Sequence, residues 1–258
     1  MDPAQVTLRL RALREPDVRV AALIEAWSTG DVAVWIAYLA RLLERAHATD
    51  DLDALAALET VARAAGSQRL AYGARQRLYE AAAHHPHRPL ARLFFAASPP
   101  TATDAQLDKQ LAAERPLQPR ERPMTLGERK ALARTHRRGI LIALCKDPHP
   151  EVVSVLLDNP HVTEPDVVRI AALRPAVPAA LARIAEHGRW PLRQGVKRAL
   201  VWNPATPLDV GIRIATTLRA AELREIAAAP SLPAVLRGHV AELLAVTRPA
   251  PDAWPLDN

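Results

Sequence analysis

Apolar residues recur at helical spacing along most of the chain, and proline, glycine or capping residues separate these runs. In the segment that begins at Val32, one helical face would carry Trp35, Leu39, Leu42, Leu43 and Ala46. Pro3 and Pro16 stand where the first turn of a helix tolerates proline, and Asp51 can cap a helix that Gly66 ends. Runs typical of strands are hard to find. The pattern therefore predicts an all-α protein.

In the second half of the chain, a residue followed by proline interrupts the apolar pattern at short intervals. Most intervals fit one helix of roughly two to three turns, and the last fits two. Helices this short are unstable alone, so they must pack on one another. The interruptions are Asp147-Pro148, Asn159-Pro160, Arg174-Pro175, Trp190-Pro191, Asn203-Pro204 and Ala229-Pro230.

The Asn-Pro pairs are predicted to stop helices. Proline lacks the backbone N–H that a helix interior needs and disfavours the α conformation in the residue before it. Asparagine tolerates left-handed backbone, and its side chain can bind nearby amides. We therefore expect Asn203 to end a helix, with Thr206 as the cap of the next helix and Pro207 in its first turn.

The segment "NPHVTEPDVV" predicts the same arrangement, because Asn159 should end a helix, Thr163 should cap the next one and Pro165 should lie in its first turn. Between these joints, apolar positions at helical spacing should face a shared core. The expected core residues are Leu141, Leu144, Val153, Leu156, Val168, Ile170, Leu181, Ile184, Val196, Leu200, Ile212, Ile214, Leu223 and Ile226.

Two segments resemble known repeat units. "VKRALVWNPATPLDVGIRIATTL" (196–218) is similar to the leucine-rich-repeat variant, whose units read roughly V-R-x-x-V-A-x-N-P-x-T-P-x-x-x-L, and "EVVSVLLDNPHVTEPDVVRIAA" (151–172) resembles a second unit. "TLGERKALAR" followed by "DPHPEVV" also resembles bacterial proteins of unknown function with these repeats. The resemblance implies a HEAT-like α-solenoid of short stacked helices. The Cys-ligated iron–sulfur cluster of some such proteins does not carry over, since this chain has one cysteine.

The distribution of helix-breaking residues also predicts four regions of the chain. Residues 1–115 form a less regular helical region, and the Pro-rich and charged stretch 116–125 is a linker. Residues 126–246 hold the predicted α-solenoid repeats, and residues 247–258 form a Pro-rich tail.

Positive charge is concentrated in one stretch of the chain. The net charge is +6, and between Leu117 and Lys146 eight Lys or Arg residues face two Glu, so this stretch accounts for the whole excess. On a single helix, Lys130, Arg134 and Arg138 would form a stripe, with Gly139 as a possible break. The candidate binding residues are Arg129, Lys130, Arg134, Arg137 and Arg138.

This stripe could bind phosphates, acidic lipid headgroups or an acidic protein surface, or it could be a solvated helix face. No aromatic residue interleaves it, which disfavours single-stranded nucleic acid in particular. An acidic protein is therefore the preferred partner, and nucleic acid is the alternative.

No catalytic or cofactor motif stands out. Phosphate-binding glycine loops, H-E-x-x-H and G-x-S-x-G are missing from the sequence. The cluster of His84, His85 and His87 lacks a fourth ligand pattern and reads as a solvated helix end, although metal binding stays open. Cys145 lies among apolar residues and is predicted to be a small buried hydrophobic residue. We expect no cofactor and no metal.

Two further sets of residues have both a functional and a structural interpretation. Trp190 and Trp202 could line a basic groove, as in HEAT-like DNA glycosylases, but gap filling between short helices is preferred. A row of carboxylates follows the proline joints and could be a binding feature, although the helix dipole already explains acidic residues in first turns. The row consists of Glu151, Glu164, Asp166 and Asp209.

These observations favour a non-enzymatic protein-interaction module of a bacterial cytoplasm. A nucleic-acid-binding protein that uses the basic stretch 120–146 is the alternative, and no motif supports an enzyme. No stretch approaches the ~18 apolar residues of a membrane span, and the N-terminus lacks a signal-peptide core. The sequence is silent on the oligomeric state.

Overall fold

The computed structural model describes residues 2–96, 104–111 and 124–246. Throughout these ranges the regular structure is helical, and no strand occurs in them. The predicted all-α class is therefore confirmed for the described chain.

Several helices in the first part of the chain begin where the sequence offers proline or a cap. Pro16 opens α2, and Asp31 and Asp51 accept backbone N–H groups at the starts of α3 and α4. Gly66 is the last residue of α4, as predicted. The helices are α1 (Pro3–Ala12), α2 (Pro16–Thr29), α3 (Val32–Ala48), α4 (Leu52–Gly66), α5 (Tyr72–Ala83), α6 (Pro89–Leu93) and α7 (Asp104–Gln110).

The second part consists mostly of shorter helices, as the spacing of the proline joints predicts. A 3₁₀ turn, Trp190–Leu192, precedes α13. The helices are α8 (Leu126–Ala133), α9 (Arg138–Leu144), α10 (Pro150–Asp158), α11 (Glu164–Ala171), α12 (Pro178–Glu186), α13 (Gln194–Val201), α14 (Leu208–Ala215), α15 (Ala220–Ala227) and α16 (Ala234–Val246).

The chain divides into two compact units. The first comprises the described parts of Met1–Ala96 and Gly211–Asn258, and the second those of Ala97–Val210. The stretch 126–246, assigned to repeats from the sequence, is thus shared between the units. Residues 116–123 of the predicted linker and the predicted tail 247–258 lie outside the described residues.

An aromatic cluster lies in the core of the first unit. Trp27 contacts Trp35 edge to face, with ring centroids 6.4 Å apart, and Phe94 at 5.5 Å. All three side chains are buried, and so is the predicted apolar face of α3. Such edge-to-face pairs add to the stabilisation that burial itself provides.

The predicted core residues of the second half are buried with one exception. Val168 is half-buried, because the face of α11 that enters the core carries Val167, Ile170 and Ala171 instead. Cys145 is also buried, as expected.

The two Asn-Pro joints differ slightly from each other. α10 ends at Asp158, directly before Asn159, and α11 begins after Thr163 with Pro165 in its first turn, as predicted. The prediction for the other joint was wrong in detail, because α14 begins at Leu208, one residue after Pro207. The buried hydroxyl of Thr206 donates to the carbonyl of Leu200 at 2.6 Å, at the end of the preceding helix.

Candidate interaction surface

Asn159 determines where α8 ends. Its side-chain Nδ2 donates to the carbonyl oxygens of Ala133 and Thr135 at 2.7 and 2.9 Å. These carbonyls lie at the end of α8, where the helix has no further N–H groups to offer them. The side chain of a later joint therefore stabilises the turn that follows α8.

This turn corrects the predicted basic stripe. α8 ends at Ala133 and α9 begins at Arg138, so Lys130, Arg134 and Arg138 do not lie on one helix. Gly139 lies inside α9 and is not the break. The break comes earlier because Asn159 binds the carbonyls on both sides of Arg134. We call residues 134–138, with the sequence Arg-Thr-His-Arg-Arg, the basic turn.

Arg129 is withdrawn from the surface. Its guanidinium Nη1 lies 2.7 Å from both carboxylate oxygens of Asp147, and the two side chains are 1% and 0% exposed. Asp147 also accepts the backbone N–H of His149 at 3.0 Å. The pair is therefore a part of the core that links α8 to the start of α10, and a partner would have no access to Arg129.

Two other candidate residues lie at the surface but already have acidic neighbours. Lys130 lies 3.3 Å from Glu151, which also contacts Arg183 at 3.0 Å. Arg138 donates to both carboxylate oxygens of Asp166, at 2.6 and 2.7 Å. A partner would have to compete with these intramolecular ion pairs.

The Arg138–Asp166 pair has a marked electrostatic effect. Asp166 is only 1% exposed whereas Arg138 is 47% exposed. Burial would raise the pKa of Asp166, but hydrogen bonds from Arg138 and Thr163 outweigh it and lower the pKa to about 2. Asp166 is therefore ionised at neutral pH, and it ties the basic turn to the start of α11.

Arg134 and Arg137 are the candidate residues that remain available. Both are exposed, and within the described part of the chain neither forms an ion pair. His136 lies between them and is also exposed, and its ring centroid is 6.2 Å from that of His161, in the loop before α11. The sequence did not reveal this neighbour, because two loops that are distant in the chain contribute the rings.

The histidine cluster after α5 behaves as a helix end. His84 is the C-terminal cap of α5, with Nδ1 at 2.7 Å from the carbonyl of Glu80, and the rings of His85 and His87 stack at 5.3 Å. His87 also contacts Glu44 at 2.7 Å. Among the described residues, no group of three or more His, Cys, Asp or Glu side chains is placed to hold a metal ion.

Burial raises the pKa of the Cys145 thiol to about 11, so this thiol is not an activated nucleophile.

The first tryptophan of the second unit is a core residue, as preferred from the sequence. Trp190 is fully buried, and its indole N–H donates to the carbonyl of Leu157 at 2.8 Å. The guanidinium of Arg189 covers the ring at 4.3 Å. Trp202 is half-buried and accepts a hydrogen bond from Arg174 through its backbone carbonyl.

The carboxylates that follow the proline joints lie in the first turns of helices, as the helix-dipole interpretation predicts. They are Glu151, Glu164, Asp166 and Asp209.

Comparison with known proteins identifies no similar protein. No protein-family model, curated protein or solved structure matches the chain. In the described ranges, no helix combines the length and apolar character needed to cross a membrane.

Proposed function

We propose that the chain is a non-enzymatic protein-interaction module of a bacterial cytoplasm, and that its basic turn binds an acidic surface of a partner protein. One observation carries this proposal. Arg134 and Arg137 are exposed and form no ion pair with a described residue, whereas Lys130 and Arg138 of the same stretch contact carboxylates. A guanidinium group that has no ion pair presents several N–H donors in a planar fork that matches a carboxylate.

The architecture of this module is proposed to be a HEAT-like solenoid related to the leucine-rich-repeat variant. Repetition of one hydrogen-bond pattern supports this. Asn203 donates to the carbonyls of Ala171 and Leu173 at 2.8 and 2.9 Å, as Asn159 donates at the end of α8. Stacked helix repeats of this kind present extended surfaces for binding other macromolecules.

The alternative function is binding of nucleic acid through the same turn. The concentration of positive charge between residues 117 and 146 favours it, because phosphate contacts dominate such binding. The turn contains no Phe, Tyr or Trp on which bases could stack, and its one ring is that of His136, which disfavours single-stranded nucleic acid in particular. The acidic protein therefore stays the preferred partner.

The experiment compares two labelled probes, poly-glutamate and duplex DNA of mixed sequence, by fluorescence anisotropy over a range of salt concentrations. The test variant is Arg134→Glu with Arg137→Glu. The control variant is Arg41→Glu with Arg77→Glu, which makes the same charge change at exposed positions of the first unit. Neither pair of arginines is buried, so both variants should keep the helical content of the parent.

We expect poly-glutamate to bind the parent and the control but not the test variant. DNA binding with a log–log salt slope of about −1.8, lost in the test variant only, would instead indicate about two phosphate contacts and favour the alternative. If the test variant binds both probes as the parent does, the basic turn is a solvated surface and the proposal is wrong. Pull-downs from a bacterial lysate, with and without nuclease, would then identify the natural partner.

A further inference from the structure

Two histidines are buried together inside the first unit. His47 lies in the last turn of α3 and is 3% exposed, and His239 lies in α16 and is 0% exposed. Thr216, just after α14, is buried with them. The helices that carry the two rings pack directly on each other, although they are far apart in the sequence.

The hydrogen bonds at His239 determine which nitrogen can accept a proton. The hydroxyl of Thr216 donates to the carbonyl of Ile212 at 2.8 Å, and its oxygen lies 3.0 Å from Nε2 of His239. Because the single hydroxyl proton is already used, Nε2 must donate to Thr216, and Nδ1 carries the free lone pair. Nδ1 has no hydrogen-bond partner among the described residues. A proton added there would become a buried donor without an acceptor.

His47 is in a similar position. Neither of its ring nitrogens forms a hydrogen bond within the described chain. Protonation would place a positive charge in a buried site where only the Thr216 backbone and the Asp50 carboxylate favour it, and burial of a poorly compensated charge is strongly unfavourable.

The charged groups around the pair include one carboxylate and one guanidinium. Asp50, at the end of α3, favours the protonated form of His47, and Arg92 of α6 disfavours the protonated form of His239. Arg92 in turn donates to both carboxylate oxygens of Glu242 on α16, at 2.8 Å each. Each ring would also repel the other if both carried a charge.

Burial has the largest effect on both rings. It lowers the pKa of His47 to about 4, against smaller opposing effects of the Thr216 backbone and Asp50. Burial, helped by Arg92 and by His47, lowers the pKa of His239 to about 3. Histidines in an unfolded chain have a pKa near 6.5, so the open form binds more protons than the closed form below neutral pH.

We propose that His47 and His239 form an acid-sensitive latch, in which protonation of either ring releases α16 from α3. The stability that the neutral rings contribute is fully present above about pH 6.5, and it is lost progressively as the pH falls toward about 4 for His47 and about 3 for His239. Each ring makes the equilibrium constant for opening rise about tenfold per pH unit in this window, so the two together give about a hundredfold. The binding function proposed above is not needed for this inference.

The experiment measures hydrogen exchange of the α16 amides from pH 7 to pH 4.5, corrected for the intrinsic pH dependence of exchange. We expect the opening constant of α16 to rise by about a hundredfold per pH unit at the steepest point in the parent. His47→Leu or His239→Gln should reduce this to about tenfold. The control, His136→Gln with His161→Gln, changes two exposed histidines of the second unit and should keep the slope of the parent.

A slope that the buried-site variants do not change would overturn the proposal. Should these variants fail to fold, an NMR titration of the histidine rings in the parent gives an independent answer. The rings of His47 and His239 should stay neutral above pH 5 in the folded chain. Rings of His47 and His239 that gain protons above pH 5 while the chain stays folded would show that no latch exists.

Discussion

Asn203 donates its side-chain amide to the carbonyls of Ala171 and Leu173, and Asn159 makes the same two bonds to Ala133 and Thr135. In each case the side-chain oxygen also accepts the backbone N–H two residues later, from His161 or Ala205. Each asparagine thus ends its own helix and also holds the end of an earlier one. The identical pattern makes these residues the structural centre of the joints.

Replacement of Asn203 should therefore destabilise the second unit more than replacement of the proline beside it. Asn203→Ala leaves two carbonyls without their donor, and we expect a loss of about 2–4 kcal/mol in the free energy of unfolding. Pro204→Ala changes an exposed residue and should cost less than about 1 kcal/mol. Urea unfolding followed by circular dichroism measures both. Equal costs would show that proline, and not the asparagine amide, defines the joint.

Asn203→Asp provides a sharper control. The carboxylate keeps the shape of the side chain and an oxygen for the N–H of Ala205, but it cannot donate to Ala171 and Leu173. The Asp variant should be at least as unstable as the Ala variant at neutral pH. A variant as stable as the parent would contradict the assigned direction of these hydrogen bonds.

The sequence predicted what depends on local periodicity. The buried face of α3, the start of α2 at Pro16 and the end of α4 at Gly66 all follow from side-chain spacing and capping chemistry. It failed where a distant side chain decides the outcome. No residue near Arg134 in the sequence indicates that α8 ends there, because the side-chain amide that binds the carbonyl of Ala133 belongs to the distant Asn159.

The candidate surface shows the same limit. Arg129 and Arg134 are alike in sequence, both arginines in a basic stretch, yet one is buried against Asp147 and the other is exposed. Helical spacing predicts that two residues share a face only if one helix contains both of them. Here α8 ends at Ala133, between Arg129 and Arg134. The pairing of Arg138 with Asp166 was equally hidden, since the partner lies two helices later.

The buried pair of Arg129 and Asp147 leads to a second prediction. Arg129→Met leaves Asp147 charged and buried without its partner, which should cost about 3–5 kcal/mol in the free energy of unfolding. Adding Asp147→Asn removes that charge but keeps an oxygen for the N–H of His149, so the double variant should recover much of the loss. Lys130→Met, at the neighbouring half-exposed pair with Glu151, should cost less than about 1 kcal/mol. If the single and double variants are equally unstable, the pair is not coupled.

A third prediction concerns two glycines with opposite surroundings. A Cβ at Gly30 would lie 2.5 Å from Nε1 of Trp35 and 2.7 Å from the carbonyl of Ala26, whereas a Cβ at Gly73 would meet nothing within 4 Å. Gly30→Ala should therefore displace a buried tryptophan and cost about 1–3 kcal/mol. Gly73→Ala, inside α5, should leave stability unchanged or raise it by up to about 1 kcal/mol. Thermal unfolding with tryptophan fluorescence measures both, and a harmless Gly30→Ala would mean that Trp35 can move freely.

The last prediction uses the contact between Arg138 and Asp166. The lowered pKa of Asp166 means that its ionised form stabilises the folded chain at pH values above its ordinary pKa of 3.8, and that this contribution disappears as the pH falls toward about 2. Arg138→Gln removes a guanidinium that donates two of the hydrogen bonds to this carboxylate. Because burial then acts against fewer hydrogen bonds, the pKa of Asp166 should rise, and acid unfolding should begin at a higher pH.

NMR titration of the Asp166 side-chain carboxyl carbon measures the pKa directly, and the urea midpoint between pH 7 and pH 2 measures the linked stability. Arg134→Gln is the matched control, since it removes an exposed guanidinium from the same turn that forms no ion pair with a described residue. It should leave the Asp166 titration unchanged. If both variants shift the titration equally, the effect comes from the general positive field of the turn and not from the hydrogen bonds of Arg138.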